Sequence, residues 1–344
     1  MISIAREYMT DFLMKLLATP SPSGFCERIA SVVEDEAATL GYKTERTPKG
    51  GVIVTVPGKR GDILGISAHV DTLGGMVRAI KPNGMIRFTP IGGYMMQSVE
   101  NEYCRIHTRD GREYEGTVLP VKPSVHVYGD ARDMKREEAN MEIRIDEIVA
   151  SKTDTLALGI SVGDFISWDP RTRRLENGYI KSRHLDDKAG VAAVFGLLQG
   201  LSVSGRLPER TLKIVISVYE EVGHGASYIP SDIRELIAVD MGAMGDDLSG
   251  TEKDVSICAK DSSGPYDYGM TSKLIELAKR ERISYAVDVY PQYGSDASAA
   301  LRGGSNIRAA LIGPVVHASH GMERTHVQAI AGTASLLAAY AMQA

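Results

Sequence analysis

Residues Arg183–Gly223 read RHLDDKAGVAAVFGLLQGLSVSGRLPERTLKIVISVYEEVG. The apolar, small-residue run over Asp187–Leu201 has the length of a helix, and the β-branched run Leu212–Tyr219 reads as a strand. That strand is largely apolar, with Lys213 and Ser217 the exceptions, and is followed by two adjacent glutamates, Glu220 and Glu221. A helix followed by such a strand predicts an α/β unit, with a mostly parallel sheet covered on both faces.

The same alternation continues toward the C-terminus. Strand Leu236–Asp240, helix Ser272–Glu281, strand Ala286–Val289, a small-residue helix Ser295–Leu301, strand Asn306–Ile312 and helix Arg324–Met342 follow in turn. At the other end, Ile4, Tyr8, Phe12 and Leu16, then Ile29, Val32, Val33, Ala37 and Leu40, fall at helical spacing. Thr19–Gly24 is a turn between them, with Ser23 as expected N-cap of the second helix. Gly51–Val56 and Ile63–Val70 then read as strands. Between about 73 and 182 the texture differs. Gly84–Thr89, Glu102–Thr108, Arg112–Leu119, Ser124–Tyr128, Glu142–Ile148 and Asp164–Trp168 are short alternating segments separated by turns. This helix-poor stretch predicts an inserted all-β domain. The expected division is 1–72 and 183–344 for one α/β domain and 73–182 for the insert.

Composition bounds the function. Hydrophobic residues at 43% and charged residues at 24% fit a globular protein and exclude disorder and fibrous classes. With 39 Lys+Arg against 44 Asp+Glu the chain is acidic, which argues against a nucleic-acid partner. No run of about 18 apolar residues suggests a membrane span, and no signal peptide is read. Cys26, Cys104 and Cys258 are too few and too scattered for a disulfide framework or a cysteine zinc site. These features, with no N-x-S/T sequon, lead us to expect a cytoplasmic protein.

In an open α/β sheet the reactive groups lie beyond the carboxyl ends of strands. His69 ends Ile63–Val70, with Asp71 two residues on and on the same face. Asp186 and Asp187 open a helix, where either is an ordinary N-cap or first-turn acid when taken alone. Glu220-Glu221 follows one strand and Asp240 ends another. His317 and His320 follow the last strand. Taken singly these are unremarkable. Taken together, one His, Asp, Glu, Asp and His at five element edges make a ligand set for two metal ions sharing a carboxylate. Mixed N/O ligation without thiolate suits Zn²⁺, Co²⁺ or Mn²⁺.

The motifs HVD (69–71), LDDKAG (185–190), YEEVG (219–223), AVDMG (238–242), GSDA (294–297) and ASHGMERTH (318–326) resemble those of the tetrahedral aminopeptidases. This family of dinuclear metallopeptidases is also labelled glutamyl aminopeptidase or endoglucanase-M-like. The resemblance follows order and spacing along essentially the whole chain. It implies a three-layer αβα zinc-peptidase domain with an inserted β-barrel-like dimerisation domain between Asp71 and Asp186. It implies that His69, Asp186 and Asp240 hold one ion and Asp186, Glu221 and His320 the other, with a cis peptide joining Asp186 to Asp187. Glu220 would be the general base and acid, and Asp71 would orient His69. A substrate pocket would include Gly294, Ser295 and Asp296 and the Lys260–Tyr266 loop. Peptide substrates, dimers and a tetrahedral dodecamer are likewise implied. Two departures stand out. Thr72-Leu73-Gly74 replaces the Glu-Ile-Gly of many members, and HASHGMERTH replaces an ending nearer YIHSP, which makes His317 a competitor of His320.

Other readings are weaker. Related dinuclear carboxypeptidase and tripeptidase-type enzymes insert their extra domain after the Glu-Glu pair. A catalytically dead relative would not be expected to keep every ligand and the base. Gly159–Gly163 matches G-x-S-x-G, yet a nucleophile elbow needs a strand before it and a helix after. Glycan hydrolysis would ask for a carboxylate pair without histidine ligands.

Overall fold

A computed structural model describes residues 2–343. The chain opens on α1 (Arg6–Leu17) and α2 (Glu27–Thr39), followed by β1 (Lys43–Arg46), β2 (Val52–Val56) and β3 (Arg60–His69). Met9, Phe12, Leu13 and Leu16 form the buried stripe of α1, and Ile29, Ala30, Val33 and Ala37 that of α2. Ser23 does not cap α2, whose N-cap position is Cys26 with no side-chain bond. The Ser23 hydroxyl donates instead to the Asp71 carboxylate, drawing the turn toward the end of β3.

Six strands come next: β4 (Gly74–Ile80), β5 (Ile86–Ile91), β6 (Tyr103–His107), β7 (Glu113–Pro120), β8 (Met141–Ile145) and β9 (Phe165–Trp168). They close an antiparallel barrel in the order β4-β5-β8-β7-β6-β9. Its interior, which includes Ile86, Phe88, Ile106, Val118 and Ile143, is a hydrophobic core of its own. Three local expectations differ from what is observed. Ser124–Tyr128 forms turns, because Val125 and Val127 both face solvent and have no buried face to align on. β4 opens on Gly74-Gly75, whose missing side chains weaken the alternation that marks a strand. A short helix, α3 (Lys152–Ala157), is nucleated by a capping box between Ser151 and Asp154. Gly159–Gly163 lies between α3 and β9, the reverse of a nucleophile elbow.

The chain returns through β10 (Arg173–Arg174) and β11 (Tyr179–Ser182) into α4 (Leu185–Ser204) and β12 (Arg210–Ser217). Then follow β13 (Glu235–Val239), β14 (Val255–Asp261), β15 (Gly264–Pro265), α5 (Tyr268–Arg280), β16 (Tyr285–Val289), α6 (Asp296–Arg302), β17 (Arg308–Pro314), β18 (Glu323–His326) and α7 (Val327–Ala341). The last helix starts later than its sequence pattern suggests. Residues 323–326 pair antiparallel with β11, and the His326 side chain caps α7 by accepting from the Gln328 amide.

The main sheet runs β1-β2-β12-β3-β13-β17-β14-β15, with β16 beside β14. Its central strands β12, β3, β13 and β17 are mutually parallel. Both edges turn antiparallel, β2 against β12 and β14 against β17. Neighbouring residues of one strand enter opposite cores, as a period of two requires. Ile214 and Ile216 pack with α2, α4, α5 and α7, whereas Val215 packs with α6 and Ile229. Both faces are therefore covered, in the three-layer α/β arrangement expected. No helix among the described residues is long and apolar enough to cross a membrane.

Candidate metal centre

Because β12, β3 and β13 are parallel neighbours, their carboxyl ends meet at one edge of the sheet. His69 is the last residue of β3, Asp240 follows β13, and Glu220 and Glu221 lie just past β12. Asp186 joins them from the start of α4. There His184 takes a left-handed conformation (φ 68°), Asp186 and Asp187 are non-helical, and the peptide between those two is cis. Among the described residues neither carboxylate accepts an amide of the first turn of α4, so these acids do not act as a helix cap. His320 arrives from the loop between β17 and β18, itself left-handed (φ 61°).

Asp186 is the hub. Its Oδ1 lies 3.2 Å from His69 Nε2 and its Oδ2 3.2 Å from His320 Nε2. Around the first imidazole stand Glu220 Oε2 at 3.7 Å and Asp240 Oδ1 at 4.0 Å; Glu221 Oε2 is 3.5 Å from the second. Both rings donate Nδ1–H to backbone carbonyls, His69 to Asp71 at 3.0 Å and His320 to Gly93. A carbonyl can only accept, so Nδ1 carries a proton in each ring, and Nε2 is the atom turned to the carboxylates, where a cation would take the place of its proton.

Burial, and then the charges of neighbouring carboxylates, push Glu221 and Asp240 well above the ordinary range. Glu220 is raised too, by burial and by Asp240, Asp296 and Glu221 against the pull of His69. Asp186 is the exception. Burial would raise it, but its contacts with His320 and His69 hold it low.

Two carboxylates outside this set organise the backbone. Asp71 accepts the Glu220 amide at 3.1 Å and the Glu221 amide at 3.2 Å. Its carboxylate is 3.6 Å from His69 Nδ1, so its backbone carbonyl, and less its side chain, orients that ring. Glu323, buried, accepts the Asp186 amide at 3.1 Å and the His320 amide at 3.0 Å. The sequence reading passed over Glu323, although an acid three residues after His320 at a strand edge has the signature used for the others. His317 is exposed and pairs its backbone with Arg324, and it belongs to neither group of converging donor atoms.

A cleft of about 430 Å³ opens on the cluster, lined by Glu220, Asp240, Tyr293, Gly294, Ser295 and His320 among others. Asp296 is not on its wall. That carboxylate is buried and accepts the Ser217 hydroxyl at 2.7 Å and the Ala226 amide at 2.9 Å, so it braces α6 against the end of β12. The Lys260–Tyr266 loop sits behind the cleft, where Tyr266 Oη is 2.7 Å from Asp261 and 2.8 Å from Ser295 Oγ. A larger cleft of about 530 Å³ along the barrel seam contains none of the candidate ligands.

The family model described as M42 glutamyl aminopeptidase matches residues 50–336. The chain belongs to that family. YhfE of Bacillus subtilis (strain 168) is 46% identical over 334 residues, covering 96% of each chain. The glutamyl aminopeptidase of Lactococcus lactis subsp. cremoris is 26% identical over 320 residues, 90% of this chain and 89% of that one. The TET1 peptidase of Pyrococcus horikoshii superposes with a TM-score of 0.86 at 24% identity, over 98% of this chain and 100% of that one. As an M42 member, the chain is a metal-dependent aminopeptidase, a hydrolase of peptide bonds.

The residues of this M42 chain fit divalent metal. His69 Nε2 is buried without a hydrogen-bond partner among the described residues, facing carboxylate oxygens of three side chains. Buried like charges at such distances persist only when protons or cations compensate them. The donor atoms are imidazole nitrogen and carboxylate oxygen, which suits Zn²⁺, Co²⁺ or Mn²⁺.

Proposed function

We propose that this M42 enzyme removes the first residue from short peptides with two divalent cations per subunit, Zn²⁺, Co²⁺ or Mn²⁺. The observation that carries the reading is Asp186, whose two oxygens each face a different imidazole at 3.2 Å. His69, Asp186 and Asp240 would hold one ion, and Asp186, Glu221 and His320 the other. Asp187 competes for the first position, since its carboxylate lies within 4.8 Å of the His69 and Asp240 donor atoms. One of its oxygens accepts the His69 amide at 3.3 Å, however, and it faces only one of the two rings. Asp186 is therefore assigned as the bridge.

When bound, such ions polarise a scissile carbonyl and make an attacking water acidic enough to ionise near neutral pH. Glu220 binds no ion in this scheme. It takes the proton from the attacking water and returns it to the leaving amine. Its amide, fixed by Asp71, sets where that carboxylate stands. A free α-amine is a ligand the second ion would accept, which would restrict cleavage to the first peptide bond and place it beside Glu220. Gly294 and Ser295 line the wall against which the first side chain lies.

Residues 1–72 and 183–344 would form the catalytic domain and 73–182 a dimerisation domain in a cytoplasmic enzyme. Dimers would build a tetrahedral dodecamer; the Pyrococcus horikoshii relative can assemble into a tetrahedron or a large octahedral shell. Light scattering on the purified chain is expected to give this assembly or its dimer. A stable 37.2 kDa monomer would remove the role given to residues 73–182.

A digest of mixed peptides read by mass spectrometry tests the activity. Stepwise loss of N-terminal residues is expected with Co²⁺ or Zn²⁺, and none with EDTA. Internal or C-terminal cleavage, or no trimming under any of the three metals, would overturn the proposal.

A further inference from the structure

The inserted barrel reaches the metal centre at two points. One is the Gly93 carbonyl, on the loop after β5, which accepts Nδ1–H of His320 and fixes the direction of its Nε2. The other is the contact of Ser98 and Glu102 with Arg183, the first residue of the returning catalytic domain. The residue is 6% exposed, and its guanidinium sits on the seam between barrel and sheet. Nε and Nη2 donate to Glu102 Oε2 at 3.0 and 2.7 Å, and Nη2 donates also to the Ser98 carbonyl. Nη1 donates at 3.4 Å to the carbonyl of Gly321, the residue after His320. Ser98 and Glu102 lie just before β6, so one side chain ties the barrel to the loop that carries His320.

The backbone around this strut needs such support. Asn101, His184, Ala318 and His320 all hold positive φ without being glycine (64°, 68°, 57° and 61°), four of the six such residues described. A non-glycine residue in that region persists when its surroundings over-determine it. Glu102 is 2% exposed and has Arg183 as its close partner, so the pair is both buried and charge-assisted.

We infer that the barrel is a working part of the second metal subsite: Glu102, acting through Arg183, positions His320 for the ion it shares with Asp186 and Glu221. Neither Glu102 nor Arg183 touches the ion; both are positioning residues. The inference rests on the ligand assignment given under Proposed function.

The test is a Co²⁺ titration of metal-free protein by calorimetry, which yields two stepwise dissociation constants, together with the metal-free melting temperature. In Glu102→Gln and in Arg183→Lys, one constant is expected to weaken about 10–100-fold, the usual effect of losing a group that orients a ligand. The other should stay near the wild-type value. His320→Ala identifies the affected subsite: it should lose the same ion that the Glu102 and Arg183 variants bind weakly. Arg28→Gln is the control, because Arg28 pairs with Glu113 across the same seam without approaching the centre. The inference is overturned if both constants are unchanged in Glu102→Gln and Arg183→Lys, even with a lowered melting temperature. It is equally overturned if Arg28→Gln weakens the same ion as much. Should His320→Ala still bind two ions with wild-type affinity, the ligand assignment itself fails, not the strut alone.

Discussion

Glu220→Gln is expected to retain both cations and lose turnover by about 10²-fold or more. The substitution preserves shape and leaves the amide that Asp71 holds, so the cleft should be undisturbed. What it removes is the capacity to accept a proton from water and deliver it to the leaving amine. Glu221→Gln is the informative contrast. Glu221 faces His320 Nε2 at 3.5 Å, so its loss should lower metal content as well as kcat. Measuring kcat on a peptide series beside metal content by elemental analysis separates the two adjacent acids. A Glu220→Gln enzyme within a few-fold of wild-type turnover would end the assignment of Glu220 as base.

The strand-end acids and histidines were legible because their neighbours are so apolar. Ile214–Val218 and Leu236–Val239 carry little that competes with Glu220, Glu221 and Asp240 for notice, and parallel pairing brings their ends together. The layer order and the inserted barrel followed from the change in periodicity near residue 73. Other parts were hidden for physical reasons. Ser23 has the right residue type and place for an N-cap, but Asp71, 48 residues away, competes for its hydroxyl. Asp296 stands beside two cleft residues in sequence, yet the N-terminal turn of α6 directs it at Ser217 and Ala226. No local pattern reports such long-range partners. Gly93 could not have been found at all, since its contribution is a carbonyl that any residue could supply.

Asp71 and Glu323 share a device. Each is a buried carboxylate that accepts two backbone amides, and each pair of amides belongs to residues whose side chains converge on the centre. Charge-assisted bonds of this kind hold the donor peptides in one place at the edge of the sheet. The backbone of the cluster is thus tied in place by the chain's own carboxylates, at the expense of crowding seven acids (Asp71, Asp186, Asp187, Glu220, Glu221, Asp240 and Glu323) around two imidazoles.

That crowding makes metal removal the second large effect. EDTA is expected to abolish activity and to leave a protein whose stability falls as pH rises. In the metal-free chain Asp187, Glu220, Glu221 and Asp240 are raised well above their ordinary values, chiefly by burial and then by one another's charge. His320 is also raised, to about 11; burial opposes this, but Asp186 and Glu221 prevail. Each group therefore binds its proton more tightly folded than unfolded. Stability changes with pH in proportion to protons bound unfolded minus folded, and that difference is negative above about pH 4. The contribution of the carboxylates is fully present below that pH and is lost through the neutral range, at about 1.4 kcal/mol per pH unit for each excess buried proton. His320 adds the same sign but less, being partly exposed. Asp186 has the opposite sign, but its window lies below about pH 4 and does not offset the others. Bound cations take the place of those protons, and ligand deprotonation strengthens metal binding as pH rises. The gap in melting temperature between metal-loaded and metal-free protein should therefore widen steadily from about pH 5 to pH 8. A metal-free melting temperature that climbs over this range, or a gap that stays constant, would show that the acids are not held together as the geometry requires.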